Sequence, residues 1–309
     1  MIYDKANKDN VIFITAVKGF YHDGVASEGY KIYKPYKEHN ILDRIMREIC
    51  FRSHLFPSKQ WYNKSLYTEH PDYIIISDPL ITVEYLKWLQ KTFPNAQLNF
   101  TYGNMVGKAR HIKPYEIPKG WRIWTYDDYD AKEYGLRLYR VNAYFRTFLR
   151  PRESAIYDVL FVGKDKGRGD YLLKLEERFK SMGLRTMFII AADGRLNRRK
   201  KYYQKPIPYK EVVDLIVKSR SILNVAMEDQ KGMTLRDLES LFFDVKLLTT
   251  NKNVVNMDFY NPKNVFILDG LNNIEDIPAF LSTDSVLVPD EIKKQHTLEH
   301  FVEYITKCE

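Results

Sequence analysis

The run Ser221-Ile-Leu-Asn-Val-Ala-Met-Glu-Asp-Gln-Lys-Gly-Met-Thr-Leu-Arg-Asp-Leu-Glu239 decides how this chain is built. Its first segment, Ser221 to Val225, reads as a buried strand. A polar turn follows and closes at Gly232, after which Thr234, Arg236 and Glu239 fall in the first turns of a helix. A strand, a glycine turn and a helix N-terminus aim free N–H groups and the positive end of the helix dipole at one point, which favours a diphosphate. Arg236 can add a bidentate phosphate contact, and Glu239 can accept hydrogen bonds from ribose hydroxyls. The same spacing also suits an ordinary surface pair between Arg236 and Glu239.

The pattern repeats outward from this run. Toward the C-terminus, Lys246–Thr250 and Val265–Leu268 read as strands, and Pro289–Lys307 reads as one amphipathic helix. Toward the N-terminus come a helix at Tyr209–Ser219, a strand at Arg185–Ala191, a helix at Tyr171–Met182 and a strand at Tyr157–Val162. The stretch Phe148-Leu-Arg-Pro-Arg-Glu-Ser154 breaks the rhythm and reads as a linker. Before it, strands are expected at Val11–Val17, Tyr73–Ser77, Gln97–Tyr102 and Trp121–Tyr126, with helices at Ile41–Leu55, Leu80–Phe93 and Ala131–Tyr134. Lys18–Lys37 reads as a long polar loop. Strand–helix alternation on both sides of the linker predicts an α/β chain of two Rossmann-like, doubly wound domains facing a cleft. The expected domains are residues 1–150 and 151–309. Continuous apolar strands suit parallel sheets, whose ligands bind beyond the carboxyl ends of the strands.

Composition narrows the function classes. The chain has 309 residues, 45% hydrophobic and 28% charged, which is globular and not disordered. Its 23 Tyr supply rings that stack on sugars or bases, or reflect a codon bias. The net charge of +8, densest at Arg198-Arg-Lys-Lys201, suits phosphate-bearing ligands, nucleic acid or an anionic membrane face. The basic residues are dispersed and no recognition motif is present, so nucleic acid is not expected as a partner. Cys50 and Cys308 have no metal-ligand spacing, and the 7 His form no H-E-x-x-H motif. The N-terminus carries no signal-peptide pattern and no apolar run reaches the length of a span. A cytoplasmic protein is expected, with membrane contact at most peripheral at the inner face.

Further candidates lie at other strand ends. Gly163-Lys-Asp-Lys-Gly-Arg168 has neither the dinucleotide glycine spacing nor a G-K-[ST] ending. It is a basic turn in which Gly163, Lys164 and Arg168 can meet phosphate, or a solvated loop. Thr250 and Asn251 can bond a sugar or phosphate, or serve ordinary turn chemistry. In the first domain, Tyr21-His22-Asp23-Gly24 follows the first strand and offers a general base, His22 or Asp23. Adjacent residues on an extended loop point opposite ways, so one of the two acts, and Gly24 favours Asp23. Asp78 reads as a helix N-cap. Asp127, Asp128 and Asp130 read as caps and dipole partners, and no metal site is expected.

These segments carry a resemblance. Asp158-Val-Leu-Phe-Val-Gly163, Ile222-Leu-Asn224, Gln230-x-Gly232-x-Thr-x-Arg236-x-x-Glu239, Lys246-Leu-Leu-Thr-Thr-Asn251 and Asp258-Phe-Tyr260 resemble bacterial GT-B glycosyltransferase-like proteins of capsule and lipopolysaccharide biosynthesis, including the spore-maturation-type group. Trp124-x-Tyr-Asp127-x-x-Asp130-Ala131-x-x-Tyr134-Gly135 fits the same group. The resemblance implies a nucleotide-sugar-dependent transferase with its donor on the second domain. The acceptor, a hydroxyl of a polysaccharide or lipid-linked glycan, would lie on the first. It implies no cofactor and no metal, because positive side chains and a helix N-terminus hold the leaving diphosphate. Arg236 would meet phosphate, Glu239 the ribose, and Thr234 would sit beside the diphosphate. The position eight after Glu228 is Arg236, so the paired glutamates of many retaining members are absent and an inverting mechanism is expected. Two other readings stay open: a nucleotide-sugar-binding protein without turnover, and a nucleic-acid-binding protein.

Overall fold

A computed structural model describes residues 8–16, 19–37, 40–53, 58–78, 80–106, 112–139, 144–194, 200–227 and 232–307. Arg198, Arg199, Glu228, Gln230 and Cys308 lie outside the described residues. The chain forms two compact units, Met1–Val141 with Leu298–Glu309, and Asn142–Thr297.

The first unit is built on β1 (Val11–Thr15), β2 (Lys31–Tyr33), β3 (Tyr73–Ser77), β4 (Gln97–Thr101), β5 (Arg122–Thr125) and β6 (Arg137–Leu138). All pair in parallel, in the order β2-β1-β3-β4-β5-β6. The central strands β1 and β3 are β-branched and buried, with Ile14 in register with Ile76. Helices α1 (Phe20–Ser27), α2 (Ile41–Ser53), α3 (Val83–Thr92) and α4 (Asp128–Tyr134) connect them.

Two local expectations change here. The loop predicted over Lys18–Lys37 contains α1 and β2. Gly19, at φ 99°, is the residue from which the chain enters α1, and β2 is an edge strand too short to print an alternating pattern. Asp78 does not cap α3. That cap is Thr82, whose hydroxyl accepts from Tyr85 N–H at 3.2 Å. Asp78 instead accepts from Gly103 N–H at 2.6 Å and ties the ends of β3 and β4 together. Asp127 caps α4, accepting from Asp130 N–H at 3.0 Å, while Asp130 accepts from Val106 N–H at 2.7 Å. Among the described residues no three His, Cys, Asp or Glu side chains cluster to hold a metal ion.

The second unit follows the same plan. Its strands are β7 (Tyr157–Lys164), β8 (Thr186–Ala191), β9 (Ser219–Asn224), β10 (Lys246–Thr249) and β11 (Val265–Ile267), all parallel, in the order β11-β10-β9-β7-β8. Helices α5 (Gly169–Ser181), α6 (Tyr209–Ile216), α7 (Leu235–Phe243), α8 (Ile277–Ser282) and α9 (Asp290–Gln295) accompany them. Val159, Phe161, Phe188, Ile190, Leu223 and Leu248 meet Leu172, Leu175 and Phe179 of α5 in one buried cluster. Removing this apolar surface from water is the main stabilising contribution. The expected linker belongs to this unit: Glu153 N–H donates to Val217 C=O at 3.0 Å, and Arg152 Nη2 to Ser219 C=O at 2.7 Å.

The predicted single helix Pro289–Lys307 is two, α9 and α10 (Leu298–Lys307). Between them, His296 is buried with Nε2 3.2 Å from the Asp258 carboxylate. α10 returns to the first unit. Its Phe301 and Tyr304 rings meet Tyr139 and Trp124, and Gln97 Nε2 donates to Ile305 C=O at 3.3 Å. The units therefore divide at residue 141 and again at 297, where the sequence suggested a single boundary at 150. An amphipathic pattern says that α10 must be covered, not by which sheet.

In both sheets the strand order reverses once, at β1/β3 and at β7/β9. Each unit is thus Rossmann-like and doubly wound. The carboxyl ends of those strand pairs are where such sheets leave a crevice.

Candidate functional site

β7 and β9 flank the switch point of the second unit. Gly163 lies within β7 and not in a turn. A Cβ there would come within 3.2 Å of the Phe161 ring and 3.5 Å of Arg168 Nη2. Lys164 is the exposed last residue of the strand. The Arg168 guanidinium lies 5.4 Å from the centre of the Phe161 ring, and Nη2 donates to Lys164 C=O at 3.3 Å. Among the described residues its Nε has no hydrogen-bond partner.

The start of α5 is not open to phosphate, contrary to the expectation from its basic turn. Buried Asp165 fills it, accepting from Gly169 N–H at 2.7 Å, Tyr202 hydroxyl at 2.8 Å and Tyr203 hydroxyl at 2.6 Å. Burial alone would raise this carboxyl, yet the bonds from Tyr203, Tyr202 and Gly169 hold it below its ordinary value. The carboxylate takes the Gly169 N–H, while Lys164 stays exposed and the Arg168 guanidinium packs on the Phe161 ring.

After β9, the turn residue Gly232 leads into α7, and Thr234 caps the helix. Its hydroxyl accepts from Arg236 N–H at 3.1 Å and from Asn224 Nδ2 at 3.1 Å. Asp237 closes a capping box by accepting from Thr234 N–H at 2.6 Å, and its other oxygen accepts from Asn224 at 3.0 Å. Thr234 is therefore engaged in holding the helix and does not offer its N–H to a diphosphate. The Thr-x-x-Asp spacing was available in the sequence as a capping signal.

Glu239 departs furthest from expectation. It is fully buried and not presented to a ribose. α7 packs every residue from Asp237 to Phe243 into the interior, which leaves position 239 underneath Arg236. Glu239 Oε1 accepts from the Tyr209 hydroxyl at 3.0 Å, and that hydroxyl bonds the Tyr144 hydroxyl at 2.8 Å. Glu239 Oε2 lies 2.6 Å from Arg236 Nη1, close enough for strong attraction, but neither atom meets hydrogen-bond geometry. Burial pushes the Glu239 carboxyl up to about 7, against the pull of Arg236. The Arg168 guanidinium is lowered first by burial and then by the charge of Arg236.

Thr250 and Asn251 do local work as well. The Thr250 hydroxyl accepts from Ala226 N–H at 2.9 Å, stitching the β9 and β10 loops, and Asn251 caps the 3₁₀ turn Lys252–Asn256. Both nonetheless line a cavity of about 760 Å³ with Tyr171, Met227, Asn256 and Asp269. That size suits a nucleotide-sized ligand. Tyr171 and Asp269 escaped sequence reasoning because they come from α5 and from beyond β11, far apart in the chain.

In the first unit, His22 and Asp23 lie in the first turn of α1, not on an extended loop. They do not point opposite ways: His22 Nδ1 is 3.3 Å from Asp23 Oδ1. His22 lines a cavity of about 430 Å³ with Tyr33, Tyr36, Lys37 and Asn63, whereas the Asp23 side chain is 67% exposed. Gly24 is a buried helix residue and supplies no bend. A third cavity, about 400 Å³, lies between Trp121 and Arg137 at the amino ends of β5 and β6, away from the strand ends that bind ligands in such sheets.

No protein-family model matches this chain, and no curated protein matches it by sequence. Solved structures do match. Sucrose-phosphate synthase from Thermosynechococcus elongatus aligns with a TM-score of 0.64 at 11% identity, over 96% of this chain and 97% of that one. AviGT4, a glycosyltransferase involved in avilamycin A biosynthesis, aligns with a TM-score of 0.51 at 10% identity, over 96% and 95%. At these identities the likeness establishes the fold, two Rossmann-like α/β units.

Proposed function

We propose that this chain is a glycosyltransferase that moves a sugar from a nucleotide-diphosphate sugar to a hydroxyl of a polysaccharide or lipid-linked glycan, as in capsule or lipopolysaccharide biosynthesis. The observation that carries the reading is the cavity of about 760 Å³ beyond the carboxyl ends of β9 and β10, where such a sheet leaves its ligand crevice. Arg168 precedes α5 and Arg236 lies in the first turn of α7, and a diphosphate accepts several charge-assisted bonds at once. That cavity, lined by Val225, Ala226 and Met227 directly after β9, takes the nucleoside. The two arginines neutralise the leaving diphosphate, so a metal is not called for. Glu239 and Tyr209 hold Arg236 in place from beneath.

On the acceptor side, His22 is the base. With Nδ1–H directed to Asp23, Nε2 is left to take the hydroxyl proton. The acceptor oxygen bonds to the sugar carbon as the bond from that carbon to the phosphate oxygen breaks, a single displacement that inverts configuration. A thermal-shift screen against nucleoside diphosphates and their sugars tests the reading. A ligand at about 100 times its Kd stabilises the protein by about 2.7 kcal/mol. Arg168→Ala and Arg236→Ala should abolish that gain, and a wild-type protein unmoved by the whole panel would end the proposal.

A further inference from the structure

Helix α2 is inside out. Ile41, Leu42, Ile45, Met46 and Ile49 are each between 49% and 69% exposed. Their spacing of three, four and seven residues places them on one face. The opposite face turns Arg47 inward. Arg47 is 1% exposed, its guanidinium 4.6 Å from the centre of the Tyr36 ring and its Nη2 2.8 Å from Glu48 Oε1. Single exposed apolar residues are ordinary, but five in one stripe mark a surface that meets something else.

The rim of the stripe names the chemistry. Arg44 on α2, Lys37 just before it, and Lys59 on the 3₁₀ turn that packs against it are all exposed. Of the acids of α2, Asp43 is half-buried and Glu48 is paired with Arg47. An apolar stripe with a cationic border fits the headgroup region of an anionic bilayer, with apolar side chains among the acyl chains and cations at the phosphates. The helix has 13 residues, too few to cross a membrane, so it lies in the interface.

We infer that α2 is a membrane-docking helix that seats the first unit on an anionic bilayer. Tyr36 connects it to the candidate acceptor site: its ring packs on Phe51 of α2 at 5.2 Å, and the same residue lines the His22 cavity. On the transferase reading, docking brings that cavity to the headgroups, so the acceptor is a membrane lipid or a lipid-linked glycan. Bilayer binding itself does not depend on that reading.

The test is co-sedimentation of the whole chain with vesicles of phosphatidylcholine plus phosphatidylglycerol, and with vesicles of phosphatidylcholine alone. Binding is expected to the anionic vesicles and to fall as salt rises. The double variant Ile45→Glu/Ile49→Glu should lose binding at least about ten-fold, since it puts charge where the acyl chains lie. Arg44→Glu should weaken binding to the anionic vesicles alone. All these residues are exposed, so melting temperature and nucleoside-diphosphate binding should match wild type, and that second readout follows the transferase reading separately. Wild-type protein left in the supernatant with both vesicles would overturn the inference. So would unchanged binding by the double variant, or a solution dimer dissolved by Ile45→Glu/Ile49→Glu in a chain that ignores vesicles.

Discussion

Arg236 and Glu239 show how much a single buried pair changes the meaning of a motif. The spacing invites a phosphate ligand and a ribose ligand, but burial converts the second into a support for the first. Replacing Arg236 therefore does two things. Arg236→Ala should weaken nucleoside-diphosphate binding by about 1.5–3 kcal/mol, the scale of a charge-assisted contact. It should also lower the melting temperature, because a buried carboxylate loses its counter-charge. Isothermal titration and thermal melts separate the two effects, and unchanged affinity would return Arg236 to a structural role. Glu239 carries a pH signature of its own. Its carboxyl rises from an ordinary 4.5 to about 7 on folding, so between those values the folded chain holds a proton that the unfolded chain releases. Stability from this group is complete below pH 4.5 and lost as pH climbs toward 7. Melts of wild type and Glu239→Gln across that window should diverge, with wild type losing ground as pH rises. A constant difference would mean that the carboxyl is not perturbed.

At the level of elements, α1 and α7 make a contrast. α7 is legible in the sequence, because Leu235, Leu238, Leu241 and Phe242 print a clear helical period after a capping threonine. α1 is not legible: Phe-Tyr-His-Asp-Gly-Val-Ala-Ser has polar residues on the sides a period would need to be apolar, and its short partner β2 prints no alternation. That loss mattered for the site. On a loop, His22 and Asp23 compete. In a helical turn they cooperate, with the imidazole at the cavity and the carboxylate behind it. His22→Asn should cut turnover by about 10²–10⁴-fold while leaving donor binding intact. Asp23→Asn should cost less, since it only orients the ring. If Asp23→Asn proves the more damaging of the two, the base is Asp23. At α5, the strand ends were legible but their occupation was not. The basic turn advertises an anion site, and the chain fills it with its own Asp165. The tight fit there is testable. A methyl on Gly169 would meet Asp165 Oδ2 at 2.5 Å, so Gly169→Ala should destabilise by about 1–3 kcal/mol in chemical denaturation. A variant as stable as wild type would show that Asp165 can move aside.

For the whole molecule, what mattered was which sheet each helix chose. Alternating strands and helices announce two Rossmann-like units, because each element's period is local. The assignment of α10 to the first unit rests on contacts with residues some two hundred positions earlier, such as Gln97 with Ile305. No local pattern carries that information. Stopping the chain after Thr297 should therefore injure the far end of the sequence. Trp124 and Tyr139 lose the ring partners Tyr304 and Phe301, and the first unit should melt earlier and be cut sooner by protease while the second keeps its stability. Equal loss in both units, or none, would contradict the division. The same closure sets an order of events on the ribosome. Chains usually fold from the N-terminus as they emerge. Here the second unit has all its residues once Thr297 has cleared the exit tunnel, while the first still waits for a helix yet to appear. The unit synthesised first is the one completed last, and a nascent chain paused before Leu298 would leave Trp124 and Tyr139 without the rings that pack on them, an apolar surface that chaperones recognise.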